Sequence, residues 1–269
     1  MSHLREQLSQ VADVYVAGDW HADTKWARRA LESISGEDCQ VLLHVGDFGY
    51  FPNHTHGAQY LREVSALAVR SGIQILVTPG NHSDYASLNA GLALSGGEPF
   101  EAAPNVHLLP RGWRWTMSGR SFVSLGGAVS VDQRQRLEGV SWWPEEVITR
   151  EEAEAVAAAG AADVLITHDT PLRDSTPEVA LARLDPRWDL PTWLQDASTH
   201  SAELVQVARD GVKPKLHFHG HWHIPTSLQS DDDSAIISLG MNGQRFNLVS
   251  LDLDALAWTE HHVHSWDAS

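Results

Sequence analysis

The chain has 269 residues, of which 42% are hydrophobic and 20% are charged, and its formal net charge is −16. This length and hydrophobic content allow a sizeable core in one large domain or two small ones, and they exclude a disordered chain. A strongly negative chain repels polyanions at long range, so we expect no stable binding of nucleic acid. A bound metal ion can reverse the sign of the potential locally, so small anionic substrates are compatible with this composition.

The cysteine content and the lack of long apolar runs bear on the cellular compartment. The single cysteine, Cys39, cannot form an internal disulfide bond, which is typical of a reducing compartment. Residues 1–7 lack the apolar core of a signal peptide, and no apolar run has the length of a membrane span. We therefore expect a cytoplasmic protein without a membrane partner, while the sequence leaves its oligomeric state open.

The first part of the chain alternates predicted strands and helices. The predicted elements, in chain order, are a helix at residues 4–10, a strand at 11–17, a helix at 24–34, a strand at 40–45, a helix at about 58–71 and a strand at 73–78. Strand-length apolar runs that alternate with segments of helical spacing are typical of an α/β fold with a parallel sheet.

The later part of the chain has shorter apolar runs separated by glycine and proline. The predicted elements are strands at residues 106–109, 114–116 and 121–125, a helix at 151–159, a strand at 163–167, a helix at 199–210 and sheet-like segments at 235–239 and 246–253. We expect the first three strands to be antiparallel members of a second sheet, and we expect residues 175–196 to be irregular because they contain three prolines. No internal boundary stands out, so residues 1–269 are predicted to form a single domain.

Polar side chains directly follow several of these predicted strands, and others follow residues 214–218, which lead into a histidine-rich segment. They are Asp19 and His21, Asp47, Asn81 and His82, His168, and His221 and His223. Ligands of α/β sheets collect at the carboxyl ends of the strands, so we expect these side chains to meet at one edge. Carboxylate, amide and imidazole donors without sulfur suit manganese, iron, zinc or cobalt better than calcium.

These donors are too many for one metal ion. Two ions about 3.5–4 Å apart that share a carboxylate would use them all. Such a pair binds a phosphoryl oxygen and lowers the pKa of a bridging water, and the resulting hydroxide attacks phosphorus in line with the leaving group. The residue pattern therefore favours a dinuclear phosphoesterase.

The order of the motifs resembles that of the calcineurin-like metallophosphoesterase superfamily. The motifs are Gly18-Asp19-x-His21, Gly46-Asp47, Gly80-Asn81-His82, His168 and Gly220-His221-x-His223, between about residues 14 and 223. The resemblance implies an α/β fold in the form of a four-layer α/β/β/α sandwich of two mixed β-sheets. It also implies two divalent metal ions as cofactors, with Mn²⁺ or Fe expected first and Zn²⁺, Co²⁺ or Ni²⁺ as alternatives.

The same resemblance implies a role for each motif residue. One metal ion would be held by Asp19, His21 and His223, and the other by Asn81, His168 and His221. Asp47 would bridge the two ions. His82 would not bind metal; it would face the scissile phosphate, stabilise developing charge and could protonate the leaving oxygen.

Two features of the motifs need interpretation. The histidines at 217, 219, 221 and 223 alternate, so on an extended strand all four would point in one direction. Gly220 precedes His221, and this Gly-His-x-His pattern of the family selects the pair 221 and 223 and leaves His219 to orient a ligand.

The serine/threonine protein phosphatases of the family have an Asp-Arg pair after the second motif, and this pair is absent after Asp47. Protein phosphatase activity is therefore not expected, and what orients His82 stays open.

Several other residues are candidates for the surroundings of the site. Asp84 lies one position beyond the place where an acidic residue commonly follows the third motif. Tyr50, Phe51, Trp142 and Trp143 could form an aromatic wall for a nucleobase, or they could be ordinary packing. Arg134, in a loop with Asp132 and Arg136, is a candidate phosphate contact, and the alternative is a solvated loop.

The leading hypothesis from the sequence is a dinuclear metal-dependent phosphodiesterase that hydrolyses a small nucleotide-like phosphoester, with cyclic nucleotides as plausible substrates. The alternative is a phosphomonoesterase acting on a small molecule. A nuclease is disfavoured by the negative charge, and a scaffold without catalytic activity is disfavoured because every ligand position is filled.

Overall fold

Seven α-helices and thirteen strands make up the part of the chain that the computed structural model describes, residues 3–9, 11, 13–36, 39–230 and 233–263. The helices are α1 (His3–Leu8), α2 (Thr24–Ile34), α3 (Thr55–Ser71), α4 (Tyr85–Leu94), α5 (Arg150–Ala158), α6 (Pro177–Arg183) and α7 (Thr192–Val212). The strands are β1 (Asp13–Ala17), β2 (Cys39–His44), β3 (Gln74–Val77), β4 (Phe100–Ala103), β5 (Val106–Leu108), β6 (Arg114–Met117), β7 (Arg120–Leu125), β8 (Val164–Thr167), β9 (Leu216–His219), β10 (Thr226–Gln229), β11 (Ala235–Ser238), β12 (Leu248–Asp252) and β13 (Ala257–Glu260). Residues 10 and 12, near the predicted limits of the first helix and strand, lie outside the described residues.

The first sheet has seven strands in the order β13-β12-β1-β2-β3-β5-β4. The pairs from β1 through β2 and β3 to β5 are parallel, and the other pairs are antiparallel. In β1, Val14 and Val16 pack toward the second sheet, whereas Tyr15 and Ala17 pack toward helices. Burial on both faces explains why β1 is a continuous apolar run instead of an alternating one.

The second sheet has six strands in the order β10-β11-β9-β8-β7-β6. The pairs from β11 through β9 and β8 to β7 are parallel, and the two edge pairs are antiparallel. Both sheets are therefore mixed.

Three apolar clusters hold the layers together. The cluster between the sheets contains Val16 and Phe218, the cluster outside the first sheet contains Leu31 of α2 and Tyr60 of α3, and the cluster outside the second sheet contains residues of α5 and α7, such as Leu204. Helices thus cover the outer face of each sheet in one α/β domain. This arrangement confirms the predicted four-layer sandwich of two mixed sheets.

The structure confirms the predicted helix at 24–34, with the same bounds. Asp23 caps α2 because its carboxylate accepts from the backbone N–H groups of Lys25 and Trp26, both at 3.0 Å. Leu31 and Ile34 are buried against the first sheet. The capping residue Asp23 is two residues after His21, so α2 begins directly after the first motif in the chain.

Two predictions of local structure are wrong. β5 pairs parallel with β3 and belongs to the first sheet, not to the second. Residues 175–196 are largely helical, since they include α6, a 3₁₀ turn at Pro186–Trp188 and the start of α7. The prolines fit because Pro177 is the first residue of α6 and Pro191 directly precedes α7, positions at which a helix needs no proline N–H.

The longest described helix is α7, with 21 residues. Among the described residues, no helix combines the length and apolar character that crossing a membrane requires.

Candidate metal centre

The ends of five strands from both sheets bring the predicted motifs together. β1, β2 and β3 of the first sheet and β8 and β9 of the second end directly before these motifs. Backbone hydrogen bonds join the loops: Asp19 N donates to Gly46 O at 3.0 Å, and His21 N donates to Asp47 O at 2.8 Å. The loops therefore form one connected rim where the two sheets meet.

Five of the predicted ligand residues have a left-handed backbone, which is uncommon outside glycine. The φ angles are 54° at Asp19, 49° at His21, 52° at Asp47, 67° at His221 and 54° at His223. Sparsely populated conformations of this kind cost on the order of 1–3 kcal/mol each and cluster at functional sites. The conformations favour a functional role for this rim over an ordinary set of strand ends.

Asp47 lies at the centre of the cluster. Its Oδ2 is 3.3 Å from Nε2 of His21, and its Oδ1 is 3.3 Å from Nε2 of His168. Gly80 permits this arrangement, because a Cβ at residue 80 would lie 2.2 Å from Asp47 Oδ1. One carboxylate thus faces imidazoles from both sheets.

Asp19 and His223 form the neighbouring part of the cluster. Nε2 of His223 is 3.4 Å from Oδ1 of Asp19, and the rings of His21 and His223 have centroids 4.9 Å apart. The backbone N–H of His221 donates to Asp19 Oδ1 at 3.1 Å. A Cβ at residue 220 would lie 2.1 Å from Asp19 Oδ2, so glycine is required where the two loops touch.

Asn81, His168 and His221 lie on the other side of Asp47. Oδ1 of Asn81 is 3.0 Å from Nε2 of His168, and the rings of His168 and His221 have centroids 5.2 Å apart. Nδ1 of His168 lies 3.0 Å from the carbonyl of Val45. Donation from Nδ1 to that carbonyl leaves the lone pair on Nε2 free for a metal ion.

The residues present fit a pair of divalent cations. Three groups have donor atoms that all lie within 4.8 Å of one another: Asp19, His21 and His223; His21, Asp47 and His82; and Asp19, Asp47 and His168. The buried Oδ2 of Asp19 has no hydrogen-bond partner among the described residues. An unpaired buried carboxylate oxygen is costly unless a cation binds it.

The carboxylates and imidazoles of the cluster shift one another's pKa values. Burial alone would raise the pKa of Asp47, but the neighbouring imidazoles, His168 foremost, hold it well below its ordinary value. Burial would lower the pKa of His21 and of His168, but the Asp47 carboxylate raises both to about 9. The carboxylates therefore attract positive charge to this place, as protons when metal is absent.

His82 borders the cluster beside an arginine. Its Nε2 is 3.9 Å from Asp47 Oδ2, and Nη2 of Arg136 lies against both ring nitrogens. Asp132 is 4.0 Å from His82 Nε2 and forms an ion pair with Arg136 at 2.9 Å. Burial and the charge of Arg136 lower the pKa of His82, although Asp47 opposes them. A guanidinium group against the ring disfavours a metal ion on the same nitrogens.

The arginine at the site is Arg136 and not Arg134, which corrects the predicted choice. Arg134 is exposed and donates to the carbonyl of Asp189 at 3.1 Å. A 3₁₀ turn at Gln133–Gln135 separates the directions of the two side chains, because residues two apart on such a turn face different sides.

The histidine-rich segment is not one extended strand, which corrects the basis for its predicted register. β9 ends at His219, and His221 and His223 lie in the loop that follows. His217 and His219 are buried within the sheet. Nδ1 of His219 faces the carbonyl of Gly220 at 3.2 Å, so the suggested role of His219 in orienting a ligand stays a prediction.

Three other candidates have partners of their own. Asp84 caps α4, where it accepts from Ser87 N at 3.0 Å and from Ser87 Oγ at 2.7 Å. Tyr50 is only 5% exposed and lies in the core, in agreement with the packing alternative for this residue. Trp142 donates from Nε1 to Glu146 Oε1 at 2.9 Å.

The sequence gives no signal for two residues behind Asn81. Nδ2 of Asn81 donates to Ser130 Oγ at 3.0 Å, and Ser130 Oγ donates to Glu146 Oε2 at 2.9 Å. Glu146 follows Pro144 and another glutamate, a pattern typical of an exposed turn, yet it is 1% exposed. Only the path of the loop brings it to the site.

Comparison with known proteins assigns the family. The sequence model described as calcineurin-like phosphoesterase matches residues 12–225, most of the chain, so the chain belongs to the calcineurin-like phosphoesterase family. It is therefore an enzyme of a class that depends on two metal ions and hydrolyses phosphoester bonds. No curated protein sequence matches the chain.

Solved structures share the fold at low sequence identity. The protein TT1561 of Thermus thermophilus is 11% identical with a TM-score of 0.58, over 95% of this chain and 100% of that chain. A dimetal phosphatase from Danio rerio is 13% identical with a TM-score of 0.52, over 91% of this chain and 93% of that chain. These similarities support the fold alone.

Proposed function

We propose that the protein is a dinuclear metal-dependent phosphodiesterase acting on a small nucleotide-like ester. The observation that carries the proposal is the position of Asp47, whose two carboxylate oxygens each lie 3.3 Å from an imidazole of a different sheet. A carboxylate in this position is suited to bridging two cations, each completed by donors on one side.

The proposed ligands divide around Asp47. Asp19, His21 and His223 would hold one ion, and Asn81, His168 and His221 would hold the other. Nitrogen and oxygen donors without sulfur support Mn²⁺ or Fe, with Zn²⁺, Co²⁺ or Ni²⁺ as alternatives. When bound, the ions supply Lewis-acid activation of water and of the phosphoryl group.

The residues of the chain position the ester beside these ions. His82 is one-third exposed, and its Nε2 lies 3.9 Å from Asp47 Oδ2. From this position it can donate a hydrogen bond to a phosphate beside the ions and pass a proton to the leaving oxygen. Arg136 lies against His82 and can bind a nonbridging phosphate oxygen. Asp132 holds Arg136 in place through their ion pair.

The charge beside His82 favours a diester over a monoester. Arg136 is paired with Asp132 at 2.9 Å, so the pair adds no net charge to the pocket. A doubly charged monoester gains more than a singly charged diester from unpaired cationic side chains. Beyond the charge of the proposed metal ions, Arg136 therefore adds no unpaired positive charge for the second negative charge of a monoester, which supports the diester. Phosphomonoesterase activity is the alternative that the experiment below tests.

The expected partners follow from the charge of the chain. A net charge of −16 argues against stable binding of nucleic acid and for a small phosphoester as substrate. The single cysteine supports a cytoplasmic location.

The test is turnover by protein loaded with Mn²⁺. We expect hydrolysis of bis(p-nitrophenyl) phosphate with a higher kcat/KM than that of p-nitrophenyl phosphate, followed by turnover of at least one cyclic nucleotide in a substrate panel. A higher kcat/KM for the monoester would contradict the diesterase assignment and favour the phosphomonoesterase. Failure to bind two Mn²⁺ ions would contradict the dinuclear site itself.

A further inference from the structure

A buried carboxylate stands behind Asn81 without touching it. Glu146 is 1% exposed and accepts three hydrogen bonds: from Ser130 N at 2.7 Å, from Ser130 Oγ at 2.9 Å and from Trp142 Nε1 at 2.9 Å. No salt bridge to Glu146 is present among the described residues. A buried carboxylate without a cationic partner contributes little to stability, so its position calls for another explanation.

Ser130 connects this carboxylate to the metal centre. Its hydroxyl oxygen lies 2.9 Å from Glu146 Oε2 and 3.0 Å from Asn81 Nδ2. The other end of the Asn81 amide, Oδ1, lies 3.0 Å from His168 Nε2. The three side chains thus form a line from Glu146 to the cluster around Asp47.

The number of hydrogen-bonding protons on Glu146 and Ser130 determines which group donates in each hydrogen bond of this line. A serine hydroxyl has one proton, and an ionised carboxylate can only accept. Burial raises the pKa of Glu146 to about 7, so above this pH the carboxylate is ionised and the Ser130 proton points at it. Only a lone pair of Ser130 then faces Asn81. The amide must turn its NH₂ group to Ser130 and its carbonyl oxygen to the cluster. Metal ions of this kind bind amide oxygen and not the NH₂ group, so this orientation is the one that a ligand requires.

We propose that Glu146 is a positioning residue that acts through Ser130 to fix the amide of Asn81 with its oxygen toward the second metal ion. The inference rests on the proposed function, because it takes Asn81 as a ligand of that ion. It assigns to Glu146 and Ser130 a role in metal affinity that neither the motifs nor the family match contains.

Glu146→Gln tests the direction of the hydrogen bonds from Glu146 through Ser130 to Asn81, because glutamine has almost the same shape as glutamate. The new NH₂ group can donate to Ser130 Oγ, which frees the hydroxyl proton to donate to Asn81 and removes the preference for the correct amide orientation. Glu145→Gln is the matched control, since Glu145 is exposed and the chemical change is the same. Calorimetric titration of each protein with Mn²⁺ alone, at a pH above the raised pKa of Glu146, gives the stoichiometry and both affinities.

We expect wild-type protein and the Glu145→Gln variant to bind two Mn²⁺ ions with the same affinities. In Glu146→Gln, one of the two affinities should fall about 10- to 100-fold, as is usual when a group that orients a ligand is lost. Ser130→Ala, which removes the connecting hydroxyl, should weaken the same ion, and Ser130→Thr, which keeps a hydroxyl, should restore most of the affinity.

Two results separate the inference from the function on which it rests. If wild-type protein binds two ions and both Glu146→Gln and Ser130→Ala bind them as tightly, the positioning role is overturned while the dinuclear site stands. If wild-type protein does not bind two ions, the proposed metal centre fails and the positioning role fails with it. A variant that only loses thermal stability, with unchanged Mn²⁺ affinity below its melting temperature, also counts against the proposal.

Discussion

The guanidinium group of Arg136 lies against the imidazole ring of His82, and the Asp132 carboxylate is 2.9 Å from the same guanidinium group. This contact places an arginine that is paired with a carboxylate beside the group proposed to face the phosphate. The Asp-Arg pair that follows the second motif in the protein phosphatases of the family is absent after Asp47. The neighbour of His82 comes instead from a loop far along the chain.

Replacing this arginine should weaken phosphate binding. In Arg136→Ala we expect kcat/KM for bis(p-nitrophenyl) phosphate to fall about 10- to 100-fold, the effect of losing one charge-assisted hydrogen bond. Arg134→Ala is the matched control and should keep wild-type kinetics, because that side chain is exposed and bonded to Asp189 O. Equal losses in the two variants would show that only the charge of the loop matters.

His82→Ala should separate catalysis from metal binding. We expect the rate to fall on the order of 10²–10⁴-fold, the usual contribution of a general acid, with both Mn²⁺ ions retained. Metal content by elemental analysis and single-turnover rates measure the two effects. Full activity in this variant would remove His82 from the mechanism, and loss of one ion would make it a ligand.

Asp47→Ala should remove activity and both ions together, because each carboxylate oxygen faces one half of the site at 3.3 Å. Asp132→Ala takes a carboxylate from the same pocket, and there we expect both ions to be retained. Elemental analysis after exhaustive dialysis compares the two variants. One tightly held ion in Asp47→Ala would rule out a shared carboxylate.

Metal binding should release protons at neutral pH. The pKa values of His21 and His168 are raised to about 9 by Asp47, so both imidazoles are protonated at pH 7 in metal-free protein. Each must lose its proton to bind a cation. We expect Mn²⁺ affinity to rise as pH increases toward 9, and titrations in buffers of different ionisation enthalpy should detect release of about two protons per chain.

The same pKa shifts set the sign of a stability change in metal-free protein. The folded pKa of each histidine lies above its unfolded value, so the imidazole–carboxylate contacts stabilise fully below about pH 6.5 and lose this effect as pH rises through 9. Thermal unfolding of metal-free protein should therefore show a melting temperature that decreases over this window. Saturating Mn²⁺ should abolish the decrease, and a flat profile without metal would contradict the shifts.

Gly220→Ala should damage the site without changing a ligand. The backbone at residue 220 is not left-handed, but its new Cβ would lie 2.1 Å from Asp19 Oδ2. We expect displacement of Asp19 and loss of one of the two Mn²⁺ ions. Gly96→Ala is the complementary control: its φ of +64° costs stability, but nothing lies within 4 Å of its Cβ, so both ions should stay bound. Calorimetric titration with Mn²⁺ distinguishes the two effects.

Features that depend on short stretches of chain could be predicted from the amino-acid sequence. Helical spacing and a capping aspartate define α2 at residues 24–34, and apolar runs ending in Gly-Asp or Gly-Asn-His identify the strands that carry the motifs. These signals are local, because periodicity and caps act over a few residues. The order of the motifs along the chain carries the resemblance to the family, and the sandwich fold is expected from that resemblance.

Contacts between distant residues could be established only from the folded chain. The pairing of β5 with β3, the choice of Arg136 over Arg134 and the approach of Glu146 to Asn81 all depend on the paths of loops. A loop's path is set by what its side chains pack against elsewhere in the fold, and no spacing along the chain records that. The motifs therefore identify the proposed ligands, whereas the residues that orient them become visible only when the two sheets are packed together.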